Sequence, residues 1–406
     1  MANRRALLGA FVSGMLFAAA PFGPALAQDK PVKIGFVDDM SGPYSGLSGP
    51  GAYEAAKMAV EDFGGKVLGR TIELVTVDDQ NKTDLAVASA RRLFSEEGVG
   101  MITGLSSSAS ALAVQGIAQE MNKISIVASG ASSTLTGKSC SPNGFHWTFD
   151  TYSVTNSLVD SLMRQGGDSW FFISVDYVLG QVLEADSTAA IEKRGGKVIG
   201  SVKHPLGNPD FSSQILTAQG SGAKVIALAN AAADTENSLK AINEFNVLAS
   251  GVRLAVVFLH SAIIESIGQD ITKGLVTTTP FFPEMNADAS AFAKRFVERR
   301  GKPGAPTINQ AMAYSAVHHY LRAVEATGTD DTVAVLAKMK ELPVKDFMTD
   351  NAKLRDDGRL LRNMYVVEVK DPAQAKNPFD YFNLIDTIPG EKAFRTPQES
   401  GCTIAQ

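Results

Sequence analysis

The strongest constraint on this chain is a rhythm. Short apolar or β-branched runs alternate with longer stretches whose apolar residues recur at helical spacing. It starts at Val32-Lys33-Ile34-Gly35-Phe36-Val37, passes through a Gly- and Ser-rich loop over 40–51, and continues as a helical pattern over 52–63 with Ala55, Ala56, Ala59 and Val60 on one face. Strand-like runs follow at 71–77, 99–103 and 124–128, separated by helical patterns at 83–94, N-capped by Thr83, and 107–121. After a loop around Cys140 the rhythm restarts, with helices over 154–164, 178–193, 211–219 and 234–245 and strands over 170–175, 197–202, 225–228 and 254–259. Such alternation predicts βαβ units and parallel sheets covered by helices on both faces. The near-continuous apolar strands fit that burial. The two runs share an order, which predicts two similar lobes.

Past them the pattern changes. A strand over 275–279 precedes helical stretches at 289–299, 308–326 and 332–342. Lys353-Leu354-Arg355 and 364–369 then read as strands around Asp357-Gly358, a strong turn pair. The tail from Asp371 is rich in proline and polar residues and is expected to be irregular.

Ahead of the first strand, Arg4 and Arg5, an uncharged run over 6–20 and Ala25-Leu26-Ala27 make the pattern of an export signal cut after Ala27. The apolar run falls short of the roughly 20 residues of a membrane span. Residues 1–27 are therefore set aside as signal peptide, and the mature chain is expected in the periplasm, by the general or the twin-arginine route. What remains of the 406 residues exceeds the ~250–300 at which a single core stops growing, so two domains are expected. Losing Arg4 and Arg5 makes the formal charge two units more negative than -5, an acidic balance that excludes nucleic acid as a partner. Cys140 and Cys402 are the two cysteines; in an oxidising compartment they predict one disulfide tying the tail to a distant loop.

Enzyme motifs are missing: no phosphate loop, no dinucleotide fingerprint after the first strand, no nucleophile elbow. The adjacent His318 and His319 point about 100° apart on a helix and cannot share a metal on one face. His204 and His260 lie near strand ends. Asp38-Asp39 and Asp78-Asp79 also end strands, and are read as caps of the loops that follow. The informative segments are those past strand carboxyl ends, where open α/β sheets bind ligands. Asp39-Met40-Ser41-Gly42-Pro43-Tyr44-Ser45 is one; Gly104-Leu105-Ser106-Ser107-Ser108 and Ser129-Gly130-Ala131-Ser132-Ser133 follow successive strands. Together the two Ser-rich turns and a helix start near Ser107 predict an anion site made of hydroxyls and amides, without Arg or Lys.

These segments, with Lys33-Ile34-Gly35, Leu135-Thr136 and Asn208-Pro209-Asp210-Phe211, resemble the Leu/Ile/Val-type periplasmic binding proteins over about 32–369. The resemblance implies an α/β fold of the type I periplasmic binding protein: two doubly wound α/β lobes joined by a three-segment hinge. It implies lobe 1 at 29–149 plus 275–348, lobe 2 at 150–274 plus 349–385, and a C-terminal tail at 386–406. It implies a non-catalytic solute receptor without cofactor or metal, a monomer. Its partners would be a small carboxylate ligand and the permease and ATPase subunits of an ABC importer, the permease being its only route to a membrane. Ser107, Gly130 and Ser132 would hold the ligand carboxylate. Tyr44, Leu47, Tyr177, Leu179, Asn230, His260 and Phe281 would complete the cleft, with only one of Phe281 and Phe282 facing it. The sequence departs from the amino-acid binders in one place. Where they carry a glutamate for the ligand ammonium, it reads Phe258-Leu259-His260-Ser261-Ala262. A buried ammonium without a carboxylate is costly, so an aromatic acid of the benzoate, hydroxybenzoate or cinnamate type is expected. A branched-chain amino acid, or a sensing rather than transport role, stays open as an alternative.

Overall fold

The computed structural model describes residues 30–301 and 303–404; the expected signal peptide lies outside the described residues. Strands β1 (Val32–Asp38), β2 (Lys66–Val67), β3 (Arg70–Asp78), β4 (Met101–Gly104), β5 (Ile124–Val127) and β6 (Gly144–His146) form one sheet in the order β2-β3-β1-β4-β5-β6. It is parallel except for the short edge strand β2. Helices α1 (Gly49–Asp62), α2 (Thr83–Ser95) and α3 (Ser108–Glu120) join the strands; Lys82, not Thr83, holds the N-cap position of α2. Because β1 lies between β3 and β4, the chain leaves it to one side and returns on the other. Loops at the carboxyl ends of β1 and β4 diverge there and open a crevice.

The second run repeats this plan. After α4 (Thr151–Arg164), strands β7 (Ser169–Val175), β8 (Lys197–His204), β9 (Val225–Ala229) and β10 (Arg253–Val256) pair in parallel in the order β10-β9-β7-β8. Their connections are α5 (Val178–Glu192), α6 (Ser212–Gly220) and α7 (Ala233–Glu244). The first strand again sits between the second and third, so a crevice opens past β7 and β9. Side chains alternate as the pleat requires. Trp170 and Phe172 join one buried cluster with Leu183, while Phe171 and Ile173 join another with Ile215 and Leu239. In the first sheet Phe36 and Met101 pack with Ala55, Ala316 and Tyr320; Val37 and Ile102 face Leu93 and Val114.

Helices α8 (Ser261–Ile267) and α9 (Gln269–Thr272) lead to β11 (Val276–Thr279), and α10 (Ala287–Arg300), α11 (Ile308–Thr327) and α12 (Thr332–Glu341) follow. Strands β12 (Val344–Asp346), β13 (Thr349–Leu354) and β14 (Leu360–Leu361) make a small antiparallel sheet, with the expected turn at Asp357-Gly358. β15 (Met364–Val369) pairs with β11 on one side and β16 (Phe382–Ile388) on the other. Thus β11, within the span expected for lobe 1, is hydrogen-bonded to β15, while β13 and β14, within the span expected for lobe 2, adjoin β12. The tail is more ordered than expected: besides β16 it holds α13 (Gly390–Ala393) and α14 (Pro397–Ser400). Cys402 is disulfide-bonded to Cys140, as expected, with Cα atoms 5.7 Å apart.

Candidate ligand-binding site

The loop leaving β1 is organised by its carboxylates. Asp39 accepts the N–H groups of Gly42 (2.5 Å) and Tyr44 (2.8 Å), and Asp78 accepts the Met40 N–H (2.9 Å) and the Ser41 hydroxyl (2.6 Å). Asp38, fully buried, accepts the N–H groups of Asp39 (2.9 Å) and Ser106 (3.2 Å) and the Ser48 hydroxyl. These aspartates cap loops, as read from the sequence, and that places Tyr44 and Leu47 over the sheet end. Burial pushes the Asp38 carboxyl up to about 6 and that of Asp79 to about 7, the latter helped by the neighbouring Asp38 and Asp39 charges.

The turns after β4 and β5 interlock. Leu105 is left-handed at φ 62, a conformation costing a non-glycine residue about 1 kcal/mol. It keeps its own side chain in the core while Ser106 and Ser108 line a cavity. Gly130 leaves no room for a side chain, since a Cβ there would stand 2.8 Å from the Leu105 carbonyl oxygen.

The cavity lies where the carboxyl ends of both sheets meet, and the space around it, counted out into open solvent at its mouth, is about 310 Å³. From the first sheet come Tyr44, Leu47, Ser106, Ser108, Ser129 and Ala131, with Phe149 just past β6. The second sheet supplies Leu179, Ala231, Phe258 and His260, and Asn309 comes from α11. The lining includes no Asp, Glu, Lys or Arg. Five helices of 12 to 20 residues (α1, α3, α5, α7 and α11) begin within two residues of a lining side chain. Each amino terminus contributes positive potential worth about 0.3–1 kcal/mol toward an anion.

Of the residues expected to line a cleft, Tyr44, Leu47, Leu179 and His260 do so. Ser107 N-caps α3, its Oγ accepting the Ser110 N–H at 3.3 Å and meeting the Tyr177 hydroxyl at 2.6 Å. Tyr177, just before α5, also accepts the Ala109 N–H at 3.2 Å and so ties the two α/β halves together. Gly130 and Ser132 stand behind the lining; the Gly130 carbonyl accepts from His146 Nε2 at 2.8 Å, and Ser132 caps the short turn Ser133–Thr136. Asn230 is consumed by bonds to His204 (3.3 Å), Ser238 (3.0 Å) and Thr235 (3.0 Å). Neither Phe281 nor Phe282 lines the cavity: they pack edge-on against Phe347 and Tyr365 at 5.9 and 5.7 Å. His318 stacks on Tyr314 while His319 bonds the Met339 carbonyl at 3.0 Å.

Sequence reasoning missed Phe149, Phe258 and Asn309, and in the serine turns it picked Ser107, Gly130 and Ser132 where their neighbours Ser106, Ser108, Ser129 and Ala131 form the lining. Phe258 carried a signal, since it belongs to the strand-end stretch inspected for a glutamate; Phe149 and Asn309 carried none. Among the described residues the Tyr44 hydroxyl, the Asn309 side-chain oxygen and both His260 ring nitrogens have no hydrogen-bond partner. Also among the described residues, no helix is long and apolar enough to cross a membrane.

Twin doubly wound sheets meeting at a small cavity, with no charged side chain among its described lining residues, define the α/β architecture of a small-molecule receptor. The chain belongs to the family described as periplasmic binding protein, whose profile matches residues 31–376. A periplasmic binding protein from Burkholderia mallei is 39% identical, covering 93% of this chain and 100% of its own, with a TM-score of 0.90. A branched chain amino acid ABC transporter periplasmic ligand-binding protein from Burkholderia xenovorans LB400 is 33% identical over 92% of this chain and 100% of its own (TM-score 0.81). An ABC transporter solute binding protein from R. palustris, in complex with 4-hydroxybenzoate, shares the fold at 24% identity (TM-score 0.80, 89% of this chain and 97% of its own). The molecule is therefore an ABC-type periplasmic solute-binding protein of the type I fold.

Proposed function

We propose that the protein is the exported receptor of an ABC importer and that it closes on a small aromatic monocarboxylate. One observation carries this reading: five helices begin within two residues of the side chains that line a cavity walled by Phe149, Phe258, Tyr44 and Leu47, with no charged side chain among the described lining residues. Backbone dipoles and N–H groups suit one negative charge. The aromatic walls suit a flat ring. An amino acid fits less well, since no carboxylate lines the cavity to meet its ammonium. The Burkholderia xenovorans relative named for branched-chain amino acids favours that second reading.

Two lobes hinge about the cavity in this mechanism, one built on β1–β6 with α10–α12, the other on β7–β11 with β15 and β16. The ligand docks on the serine turns, and the Tyr177 hydroxyl then bridges to Ser107 and Ala109. The ligand's greater affinity for the closed state drives closure, and the permease and ATPase partners respond to that state. In this reading the ligand is bound and released chemically unchanged. The protein acts as a monomer in the periplasm once residues 1–27 are removed.

Calorimetry with benzoate, 4-hydroxybenzoate, coumarate and leucine tests the reading. Micromolar or tighter binding of an aromatic acid supports it. Sub-micromolar binding of leucine alone overturns it in favour of the amino-acid reading.

A further inference from the structure

His260 is 3% exposed, and neither ring nitrogen has a partner among the described residues. A neutral imidazole carries one donor and one acceptor, and each is costly to leave unmet when buried. The backbone holds this ring where no protein group answers it. The ladder between β9 and β10 ends at Val256, the next three residues run on as buried loop, and His260 sits at the N-cap of α8. Its ring lies near-parallel to that of Phe258 (16°, centroids 6.1 Å apart) and 6.3 Å from that of Phe149. The two phenyl rings are themselves 5.4 Å apart. The three rings form a compact triangle with both phenyl rings to one side of the imidazole, and a donor or acceptor meets the imidazole nitrogens in the plane of its own ring.

The neighbourhood sets the charge of what meets that edge. Burial alone lowers the His260 pKa to about 4, so in the ligand-free protein the ring is neutral at neutral pH. No acid lines the cavity to balance the charge of an ammonium. Asn309, 2% exposed, brings its unpartnered side-chain oxygen to the same cavity, and the Tyr44 hydroxyl there is also without a partner among the described residues. The unanswered side chains of the lining are thus uncharged.

Resting on the aromatic-acid reading above, we propose that His260 is the specificity residue of this cavity and reads a hydroxyl on the ring of the bound acid. A hydroxyl both donates and accepts, so it satisfies either tautomer. The favoured ligand class is a hydroxylated aromatic monocarboxylate.

The test is calorimetry on the mature chain and on His260→Phe and His260→Gln, with benzoate, 3- and 4-hydroxybenzoate, 4-methylbenzoate and leucine. The expected result has four parts. The unaltered chain binds one hydroxybenzoate at least tenfold more tightly than benzoate or 4-methylbenzoate. His260→Phe reduces that preference to within twofold. The same variant keeps the circular-dichroism spectrum and unfolding midpoint of the unaltered chain, which shows that it is folded. His260→Gln, which retains a neutral donor and acceptor, keeps part of the preference. If the hydroxyl preference survives in His260→Phe, or is missing from the unaltered chain while benzoate binds, the role of His260 is overturned and the aromatic-acid reading stands. Failure of every aromatic acid, with leucine binding, overturns both.

Discussion

Replacing Cys140 and Cys402 together by serine removes a cross-link between residues 262 positions apart, and the structure indicates where the cost falls. The native tail has other anchors. The Ser400 hydroxyl donates to the Thr136 carbonyl at 3.1 Å. Arg395 pairs with Asp186 at 2.9 Å and lies 4.2 Å over the Tyr152 ring. Arg355 donates to the Arg395 carbonyl at 2.7 Å. The folded state should therefore keep its shape, and the loss should arise in the unfolded chain, which gains freedom over a very long loop. The chain-entropy relation gives about 5.5 kcal/mol at 25 °C for a loop of roughly 260 residues, an upper value that residual unfolded structure reduces to about 3–5. That is a large share of the 5–15 kcal/mol typical of total stability. Urea unfolding followed by circular dichroism measures it directly. The double variant should lose about 3–5 kcal/mol and show a steeper denaturant dependence, because its unfolded chain exposes more surface. A loss below about 1 kcal/mol with an unchanged slope would refute the reasoning.

Other consequences follow from single contacts. Tyr177→Phe removes the hydroxyl between Ser107 and Ala109. At about 1 kcal/mol per bond it should weaken 4-hydroxybenzoate binding roughly 5–30-fold, mainly through faster release in stopped-flow; an unaltered release rate would show that the bridge plays no part in closure. In Gly180→Ala the new Cβ would lie 2.1 Å from the Val175 carbonyl oxygen, so α5 must shift off β7 at a cost of about 1–3 kcal/mol, visible as a lower unfolding midpoint. Asp38 is held by burial at about 6 against its ordinary 3.8. An acid raised in the folded state favours folding while protonated, so its contribution is complete below the unfolded value and is lost as pH rises through 6. Asp38→Asn mimics the protonated form and should flatten the fall in stability between pH 5 and pH 8 by about 1.4 kcal/mol; an identical pH slope in denaturant titrations would contradict the burial argument.

The architecture is legible in the sequence because burial on both faces of parallel strands makes each strand a short apolar block between helical periods. What is not legible is where a block stops being a strand. Residues 254–259 read as one run because all six are apolar, but only Arg253–Val256 joins the ladder. The remaining three are buried as loop, and nothing in an apolar run marks that change. The serine turns show the same limit one level down. The type of group is predictable, since helix starts need caps and anions need donors. Which serine caps and which faces the cavity depends on the left-handed Leu105, a conformation that leucine gives no reason to expect. Asn309 depends on a contact with no local trace: the Thr307 hydroxyl donates to the Leu47 carbonyl at 2.6 Å across 260 positions, pinning the start of α11 to the β1 loop.

These limits divide recognition into two parts with different origins. In the proposed reading, affinity for negative charge arises from backbone, from helix starts and tight turns that topology places at strand ends, and should survive many changes of side chain. The choice among anions arises from what the ends of those same elements happen to carry. In this chain that is two phenylalanines and an unanswered imidazole, where a glutamate would select an ammonium. One fold can thus serve amino acids and aromatic acids through exchanges at a few loop positions, because such exchanges leave the dipoles that hold the carboxylate in place. Swapping His260 for glutamate should then move selectivity toward amino acids more readily than a change at Ser107 or Ser132, whose hydroxyls cap α3 and the turn Ser133–Thr136.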